Sequence, residues 1–357
     1  MSIIKVSIKS KNSKLNGGIF TMEKRLRVLS LFDGMSCGQI ALEGLGYSAK
    51  LGNLEYYASE IEQPAITVTQ HNYPNTIQLG DVTKVSFKDG VLYSKNGEFE
   101  VGQFDMIIGG SPCQDISKAN TKGEGLKGNK SKMFFEYYRI LEEVKPRHFF
   151  FENVGGLSKE DLKVINKLLS AKSATINSNA FTAQNRTRHY WFNGNSVKIP
   201  SMNKVSIKDI LDTKENISET LYVDLSKNRF IPIDNAVALP SENGLIFKGG
   251  LANSKVTQWI DNGKILSRNF RQGYRVYDEA GKSPTLTASG GGLAGKTCLI
   301  YNNGAIRRLS TEEAERLQGV PSGYTSVVSR NNALELLGNG WTVDVVAYII
   351  GESFLNN

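Results

Sequence analysis

The first 200 residues alternate short apolar runs with segments of helical spacing. The runs predicted as strands are 27–32, 56–59, 105–108, 148–151 and 188–192. Helical spacing is found in 38–45 and 133–144. Fully apolar strands that alternate with helices are typical of a sheet covered on both faces. The pattern therefore predicts an α/β fold with a Rossmann-like, doubly wound and mostly parallel sheet.

This rhythm ends near residue 200. From about Ile199 to Tyr301 the chain is rich in Asn, Ser, Gly and Lys, which predicts a second, smaller, irregular β-rich domain. Helical periodicity returns at 311–317 and 342–350. We divide the chain into a flexible polar tail (1–24, with Met22 as an alternative start), a first domain (25–198), a second domain (199–330) and a segment that returns to the first (331–357).

Composition excludes several classes of protein. Three cysteines and three histidines among 357 residues, without a CxxC spacing, argue against a disulfide framework and a structural zinc site. No apolar run reaches the roughly 18 to 20 residues that cross a bilayer, and the polar amino terminus argues against a secretory signal. The net charge of +8 favours a polyanionic partner only modestly.

The turn after the first strand has the features of a ligand-binding loop. Residues 32–38 (FDGMSCG) lead from a strand into a helix, where glycines admit a ligand close to the backbone. Glu60 follows the second strand, where a carboxylate can accept hydrogen bonds from ribose hydroxyls. Asp81 belongs to a third loop, where its carboxylate could accept a hydrogen bond from the exocyclic amine of an adenine. Each feature alone is equally typical of an ordinary glycine turn with surface acids, but their order favours a nucleoside-bearing ligand.

A thiol and a carboxylate follow two further strands. Cys113 comes after Pro112, which cannot continue a sheet ladder and so directs the next side chain into a loop. A buried structural cysteine is the more common fate of an isolated free thiol. Glu152 follows the apolar strand 148–151, and this placement favours a reactive site at the carboxyl edge of the sheet. Residues 184–188 (QNRTR) then precede another strand, with a solvated basic loop as the alternative interpretation.

In this order the motifs resemble those of the carbon-5 cytosine-specific DNA methyltransferases. They are LFDGMSCG (31–38), ASE (58–60), GDV (80–82), GGSPCQDIS (109–117), ENV (152–154), QNRTR (184–188), RRLSTEEAERLQGVP (307–321) and LLGNGWTVDVV (336–346). The LFDG turn is similar to that of animal de novo enzymes, and the carboxyl-terminal half is similar to bacterial and phage enzymes. The resemblance implies that the first domain is catalytic and that the second recognises the target.

The resemblance implies S-adenosyl-L-methionine as cofactor, with S-adenosyl-L-homocysteine as product. Its expected contacts are Phe32, Gly34, Gly38, Glu60, Ile61, Asp81, Val82, Pro112 and Asn339. Ile61 stands where many relatives have an aromatic residue that packs on the adenine. Gly340 and Trp341 depart from the pattern of several relatives, in which a small residue is followed by valine. Asn339 is therefore the one residue of that motif to which the family's cofactor contact is assigned.

The implied chemistry begins with Cys113, whose thiolate adds to C6 of cytosine and makes C5 nucleophilic. Glu152 suits hydrogen bonding to N3 and the exocyclic amine, which rejects thymine. Arg186 is expected near the base carbonyl or the thiolate, and Arg188 is expected to favour the thiolate. No residue is assigned as the base that removes the C5 proton, and water is an alternative.

The expected partner is double-stranded DNA. Residues 114–132 form a polar, glycine-bearing segment suited to closing over a flipped-out cytosine, with an exposed crossover as the alternative. Residues 248–296 contain eight Lys or Arg and three Asp or Glu. The expected DNA contacts are Gln114, Ser117, Lys118, Arg268, Arg271, Arg275, Lys282, Thr285 and Arg307. For any one of them, a solubilising surface role is equally typical.

Two alternatives stay open from the sequence. One is an RNA cytosine methyltransferase of the same fold, against which the long basic insert argues. The other is a non-catalytic DNA-binding relative, against which the intact motifs argue. We expect a cytoplasmic, nucleoid-associated, monomeric protein without a metal, and a cognate restriction endonuclease remains open as a genetic partner.

Overall fold

The computed structural model describes residues 25–112, 132–213, 216–233, 241–252, 270–302 and 304–355. Its strands in chain order are β1 (Leu26–Leu31), β2 (Leu54–Ser59), β3 (Ile77–Gln78), β4 (Ser86–Lys88), β5 (Val91–Ser94), β6 (Gly97–Glu100), β7 (Met106–Gly109), β8 (His148–Val154), β9 (Ala174–Asn177), β10 (Thr187–Phe192), β11 (Arg229–Pro232), β12 (Phe247–Ala252), β13 (Arg275–Asp278), β14 (Leu299–Asn302) and β15 (Ala305–Arg308). Its α-helices are α1 (Cys37–Gly44), α2 (Gln63–Asn72), α3 (Lys132–Val144), α4 (Lys159–Leu168), α5 (Thr311–Leu317), α6 (Arg330–Asn339) and α7 (Val343–Ile350). The predicted tail 1–24 lies outside the described residues.

Seven strands form one large sheet in the order β3-β2-β1-β7-β8-β10-β9. Neighbouring strands are parallel except at β10, which is antiparallel to both β8 and β9. All five strands predicted in this region are present, with ends shifted by no more than a few residues. The prediction of a mostly parallel, doubly wound sheet is confirmed.

Helices cover both faces of this sheet because its strands are apolar on both sides. The side chains of α1, α2 and α7 share one buried cluster with Val28 and Ile108. The side chains of α3 and α4 share the other cluster with Leu29 and Ile107. The alternation of neighbouring strand residues between the two clusters follows from the two-residue period of a strand. Each fully buried aliphatic side chain contributes about 1.5 to 3 kcal/mol to this packing.

A second sheet occupies the region predicted as irregular and β-rich. Its order is β11-β12-β13-β14-β15, and only the β13–β14 pair is parallel. Leu251, Val276, Leu299 and Ile306 form its small core. After β15, Leu309 and the buried side chains of α5 already belong to the core that contains α7. Ile207, Tyr277, Leu286 and Ile300 belong to that same core, so the two predicted domains share one cluster of buried side chains.

A third sheet, β4-β5-β6, was not predicted. It is an antiparallel meander inserted between β3 and β7. Its Phe99 ring lies edge-on to Tyr57 of β2 at 6.0 Å between centroids, and Phe104 lies 5.4 Å from the same tyrosine. These contacts attach the meander to the edge of the large sheet.

Within the described residues, one helical stretch, Arg330–Leu355, is long and apolar enough to pass for a membrane span by length and composition. It consists of α6, α7 and a short π-helical turn, and α6 ends before α7 begins at Val343. Two thirds (67%) of its most apolar window is buried inside the protein. The stretch is therefore a core element of the fold.

Candidate active site

The turn between β1 and α1 has an unusual backbone. Phe32, Gly34 and Ser36 all have positive φ angles, of 58°, 59° and 62°. A bulky residue such as phenylalanine rarely adopts this left-handed conformation, which is energetically costly and concentrates at functional sites. Phe32 and Ser36 are therefore the strained positions of this turn, whereas Gly34 adopts its angle without steric cost.

Asp33 stabilises this turn from inside. Its carboxylate accepts hydrogen bonds from Ser30 Oγ (2.6 Å), from Tyr56 OH (2.8 Å) and from Ser36 Oγ. Burial raises the pKa of Asp33 to about 6, while the three hydroxyl donors oppose that rise. The sequence analysis did not identify this residue, although it lies inside the motif at 31–38.

Glu60 lies beside the same turn at the end of β2. Its Oε2 accepts the backbone N–H of Gly34 at 2.7 Å, and its Oε1 accepts those of Ile61 (2.7 Å) and Glu62 (2.9 Å). A carboxylate has about four acceptor positions, so the group is held in place and can still accept a further donor. Ile61 is 67% exposed next to it, which offers an apolar surface to a flat ring.

The other expected cofactor residues differ in their exposure and hydrogen bonding. Asp81 is partly engaged, because its Oδ1 accepts both the N–H and the hydroxyl of Thr83 at 2.9 Å. Pro112 and Asn339 are exposed, whereas Val82 is buried. Gly38 differs from the expectation. It is buried, and a Cβ there would lie 2.4 Å from Ile108 Cδ1, so it serves the close packing of α1 on the sheet.

Glu152 lies at the end of β8 and is 9% exposed. In the antiparallel register it faces Tyr190 of β10, and Arg188 lies two residues along on the same face. Arg188 Nε is 3.1 Å from Glu152 Oε1, and the indole Nε1 of Trp341 donates to Oε2, also at 3.1 Å. Burial raises the pKa of Glu152, and the two arginines (Arg188, Arg186) and the indole oppose that rise.

The chain that leaves β7 passes directly beside this carboxylate. A Cβ placed on Gly110 would lie 2.9 Å from Trp341 Nε1 and 3.1 Å from Glu152 Oε2, so only glycine fits without displacing them. Asn153 Nδ2 is 3.4 Å from both the carbonyl oxygen and Oγ of Ser111. The end of β7 and the end of β8 are thus held together. Cys113 itself lies outside the described residues.

Arg186 is placed differently from the expectation. Its guanidinium donates to the carbonyl oxygens of Leu286 (3.2 Å), Gly338 (3.1 Å) and Gly340 (2.8 Å). These bonds join the second domain to the carboxyl end of α6, where a cation is favourable. Three of its five N–H groups are used in this way, and its Nε is buried without a hydrogen-bond partner. Burial, and then the nearby Arg188, lower the pKa of Arg186.

An open, mostly polar cleft of about 370 Å³ lies next to Arg188. Its walls come from the end of β8 and the loop that follows, from Asn185 and the start of β10, and from two residues of the second domain. They are Val154, Gly155, Gly156, Asn185, Thr187, Arg188, Asn243 and Thr285. Thr285 Oγ1 donates to the carbonyl oxygen of Asn185 at 2.7 Å, which fixes one wall to the other.

The expected DNA contacts are brought to different places. Arg271 is exposed, and Arg275 is half-buried with its Nε donating to the carbonyl oxygen of Phe270 at 3.0 Å. Lys282 is buried instead of exposed, and its ammonium donates to Thr182 O at 2.9 Å and to Asn203.

Arg307 also departs from the expectation that it contacts DNA. It is 1% exposed and forms a bidentate ion pair with Glu313, with both N–O distances at 2.8 Å. Of the two consecutive arginines, Arg307 and Arg308, the first therefore forms an ion pair inside the core. Gln114, Ser117, Lys118 and Arg268 lie outside the described residues.

The described residues fit a nucleoside-bearing cofactor better than a metal. The strained turn, the oriented carboxylate of Glu60 and the exposed Ile61 are neighbours at the carboxyl edge of the sheet, where such folds bind nucleotides. In the described part of the chain, no group of three or more His, Cys, Asp or Glu side chains is arranged to hold a metal ion.

The chain is similar to proteins of one enzyme family. A family model for the C-5 cytosine-specific DNA methylases matches residues 26–354. The orphan methyltransferase M.Rho11sI of Bacillus phage rho11s is 33% identical over 320 residues, which cover 77% of this chain and 60% of the phage protein. The type II methyltransferase M.HhaI of Haemophilus parahaemolyticus is 26% identical over 353 residues, which cover 92% of this chain and 95% of that protein.

The solved structure of the Entamoeba histolytica methyltransferase EhMeth superposes with a TM-score of 0.63 at 16% identity, covering 92% of this chain and 98% of that one. That of the S. pombe Dnmt2 methyltransferase gives 0.57 at 17% identity over 92% and 98%. The match over nearly the whole sequence shows that the chain belongs to the C-5 cytosine-specific DNA methylase family. The predicted family and fold class are confirmed.

Proposed function

We propose that this chain transfers a methyl group from S-adenosyl-L-methionine to C5 of a flipped-out cytosine in a specific duplex DNA sequence. The single observation that carries the proposal is the buried Glu152 carboxylate, held by Arg188 and Trp341 beside an open polar cleft. A carboxyl group in this setting can engage the amine and N3 of cytosine. It cannot pair in the same way with thymine, which presents a carbonyl and an N–H there.

Cys113 is proposed as the nucleophile. It follows Pro112 directly in the sequence, in the segment that continues from Gly110, whose own backbone lies next to Glu152. Its thiolate forms a bond to C6, and the electron pair of the C5–C6 double bond becomes available at C5. The bound cofactor supplies an electrophilic methyl group. After transfer, C5 loses its proton to a base or to water, and the bond between sulfur and C6 breaks to release the thiolate.

Three side chains and one backbone turn of this chain would hold the cofactor. Glu60 would accept the ribose hydroxyls, since its carboxylate is already fixed by backbone N–H groups. Ile61 would cover one face of the adenine, and Asp81 would accept from the adenine amine through the oxygen that Thr83 does not use. The backbone of the Phe32–Ser36 turn would lie against the methionine end.

Duplex DNA is proposed to lie across the cleft between the two domains. The exposed Arg271, the half-buried Arg275 and the cleft residue Thr285 are the described residues that we assign to it. A cytosine stacked in a duplex hides C6 from a thiol, so the base must leave the helix, at a cost of a few kcal/mol. The proposed setting is the bacterial cytoplasm, where a catalytic thiol stays reduced and DNA is present.

The test is bisulfite sequencing of plasmid DNA from cells that express the chain. We expect methylcytosine at one defined sequence with the wild type and none with Cys113→Ser or Glu152→Gln. Cys298→Ser is the matched control, because it changes another thiol that lies buried in the core and should keep the methylation pattern.

RNA from the same cells is converted and sequenced alongside the plasmid. Methylation confined to RNA would replace the proposed substrate with the RNA alternative. An unmethylated plasmid with the wild type, or a methylated one with Cys113→Ser, would contradict the mechanism.

A further inference from the structure

Trp341 connects the two halves of the proposed active site. Its indole is 8% exposed and lies edge-on to Phe150 of β8 at 5.3 Å. A Cβ on Gly38 would lie 3.4 Å from Trp341 Cζ3, so the ring also rests against the first turn of α1. A Cβ on Gly340 would lie 3.1 Å from Cys37 Sγ, so the residue before Trp341 also lies against that turn. The residue thus extends from the helix that follows the cofactor turn to the carboxylate of Glu152.

The indole N–H is aimed at one oxygen of that carboxylate. Trp341 Nε1 donates to Oε2, while Arg188 Nε pairs with Oε1, both at 3.1 Å. A carboxylate can rotate about its last bond, and a donor on each oxygen removes that freedom. A phenylalanine would fill most of the same space without the donor.

Other charged and titratable groups act on Glu152 as well. Arg186 and Arg188 favour its ionised form, and Tyr190 faces it from β10. Among these groups Trp341 is the neutral donor in direct contact with the carboxylate. Its contribution can be removed without changing the charge of the site.

We propose that Trp341 is a positioning residue for catalysis: its indole N–H fixes the orientation of the Glu152 carboxylate toward the target base. The proposal rests on the proposed function, in which Glu152 binds cytosine. It also accounts for a tryptophan at a position where the family pattern at 336–346 led us to expect a small aliphatic residue.

The first test compares Trp341→Phe with Trp191→Phe. Trp191 is a suitable control because it is also buried and donates its indole N–H, at 2.7 Å, to Asn166 on α4. Hydrogen bonds to charged groups are the stronger ones. We therefore expect Trp341→Phe to lower kcat at least about tenfold, with KM for DNA nearly unchanged. Trp191→Phe should keep the wild-type kcat.

The pH profile separates positioning from simple packing. Loss of the N–H donor destabilises the ionised carboxylate, so the limb of the kcat profile that depends on Glu152 should move to higher pH in Trp341→Phe. A structural effect alone would lower kcat without moving this limb. A wild-type profile in a folded Trp341→Phe protein overturns the proposal. If Glu152→Gln is fully active, the proposed role of Glu152 fails instead.

A second measurement uses the wild-type protein and does not require the variant to fold. The sequence has three tryptophans, so the indole N–H groups of ¹⁵N-tryptophan-labelled protein give three resolvable NMR signals. We expect the Trp341 signal to shift with pH in the wild type and to stay fixed in Glu152→Gln. The Trp191 ring lies 5.9 Å from that of His189, so its signal should follow the same pH course in both proteins. A Trp341 signal that titrates equally in both proteins, or in neither, overturns the proposal.

Discussion

Single atoms decide the geometry at Gly110. This residue lies where the chain leaves β7, and a methyl group there would come within 3.1 Å of both Trp341 Nε1 and Glu152 Oε2. Side-chain contacts this close are not tolerated in a packed interior, so the indole or the carboxylate would have to move.

We predict that Gly110→Ala lowers kcat by roughly 10- to 100-fold, because a displacement near 1 Å of a positioning group has effects of this size. Overpacking should also lower the free energy of unfolding by about 1 to 3 kcal/mol. Methyl transfer to duplex DNA and thermal unfolding measure the two effects. Gly44→Ala is the matched control, since nothing lies within 4 Å of its added Cβ. Wild-type kcat in Gly110→Ala would show that Glu152 and the indole need not be held this closely.

Asp33 leads to a prediction on pH dependence. Its pKa is raised from 3.8 to about 6, chiefly by burial. A carboxyl group with a raised pKa contributes stability that is fully present below pH 3.8 and is lost as the pH rises through about 6. Between pH 5 and pH 7 the loss through this group is roughly 1 kcal/mol.

Asp33→Asn lacks this titration. We therefore predict that the free energy of unfolding of the wild type, relative to that of Asp33→Asn, falls by roughly 1 kcal/mol from pH 5 to pH 7. Chemical denaturation at the two pH values measures it. Asp89→Asn, in an exposed turn, should show the same difference from the wild type at both pH values. An Asp33→Asn difference that does not change with pH would mean that Asp33 is not buried as described.

Site residues that belong to a local sequence motif or follow a predicted strand could be predicted from the sequence. The turn at 31–38 and Glu60 are brought together as the pattern of strand ends indicates, because parallel strands place their carboxyl ends at one edge. Trp341 and Arg186 were not predictable in their observed roles. Their partners, Glu152 and the carbonyl oxygens of Gly338 and Gly340, lie 150 or more positions away in the sequence.

At the scale of elements, the sequence signal was strongest where strands and helices are apolar. The helix α3 has buried side chains at the spacing 134, 137, 140, 141 and 144, and it was predicted to within one residue. The helix α2 buries only Ala65, Val68 and Thr69, and its polar sequence shows little periodicity. The helix α4 has readable signals, a Ser158 cap and buried Ile165, but was not among the predicted elements. The β4–β6 meander is too short and polar for strand periodicity to be seen.

The start of α5 carries a prediction about an ion pair. Arg307, at the end of β15, pairs with Glu313, which also accepts the backbone N–H groups of Ser310 (2.8 Å) and Asp212 (2.9 Å). Both charged side chains are almost fully buried. Removal of the cation would leave a buried carboxylate unpaired.

We predict that Arg307→Met lowers the free energy of unfolding by about 3 to 5 kcal/mol. The double variant Arg307→Met with Glu313→Gln should recover part of this loss, because a neutral amide needs no counter-ion. DNA affinity of the folded Arg307→Met protein should equal that of the wild type. Wild-type stability combined with weakened DNA binding would instead restore Arg307 as a phosphate contact.

At the scale of the whole molecule, the net charge is +8, and the cleft is lined by residues of both domains. Basic residues near this cleft are candidates for contacts with DNA phosphates. The exposed cation Arg271 precedes β13 in the five-stranded sheet, and Arg188 lines the cleft. Basic residues that neutralise phosphates release counter-ions from DNA, so the affinity of such a surface falls steeply with salt concentration.

We predict that the slope of log K against log salt concentration for a duplex becomes less negative by about 1 in Arg271→Ala, because each phosphate contact contributes about 0.9 to that slope. Fluorescence anisotropy of a labelled duplex, titrated at several salt concentrations, gives the slope directly. Lys88→Ala is the matched control, since Lys88 is an exposed cation on the β4–β6 meander, which is separate from the five-stranded sheet. It should leave the slope unchanged. Equal slopes for the wild type and Arg271→Ala would place the DNA-binding surface away from Arg271.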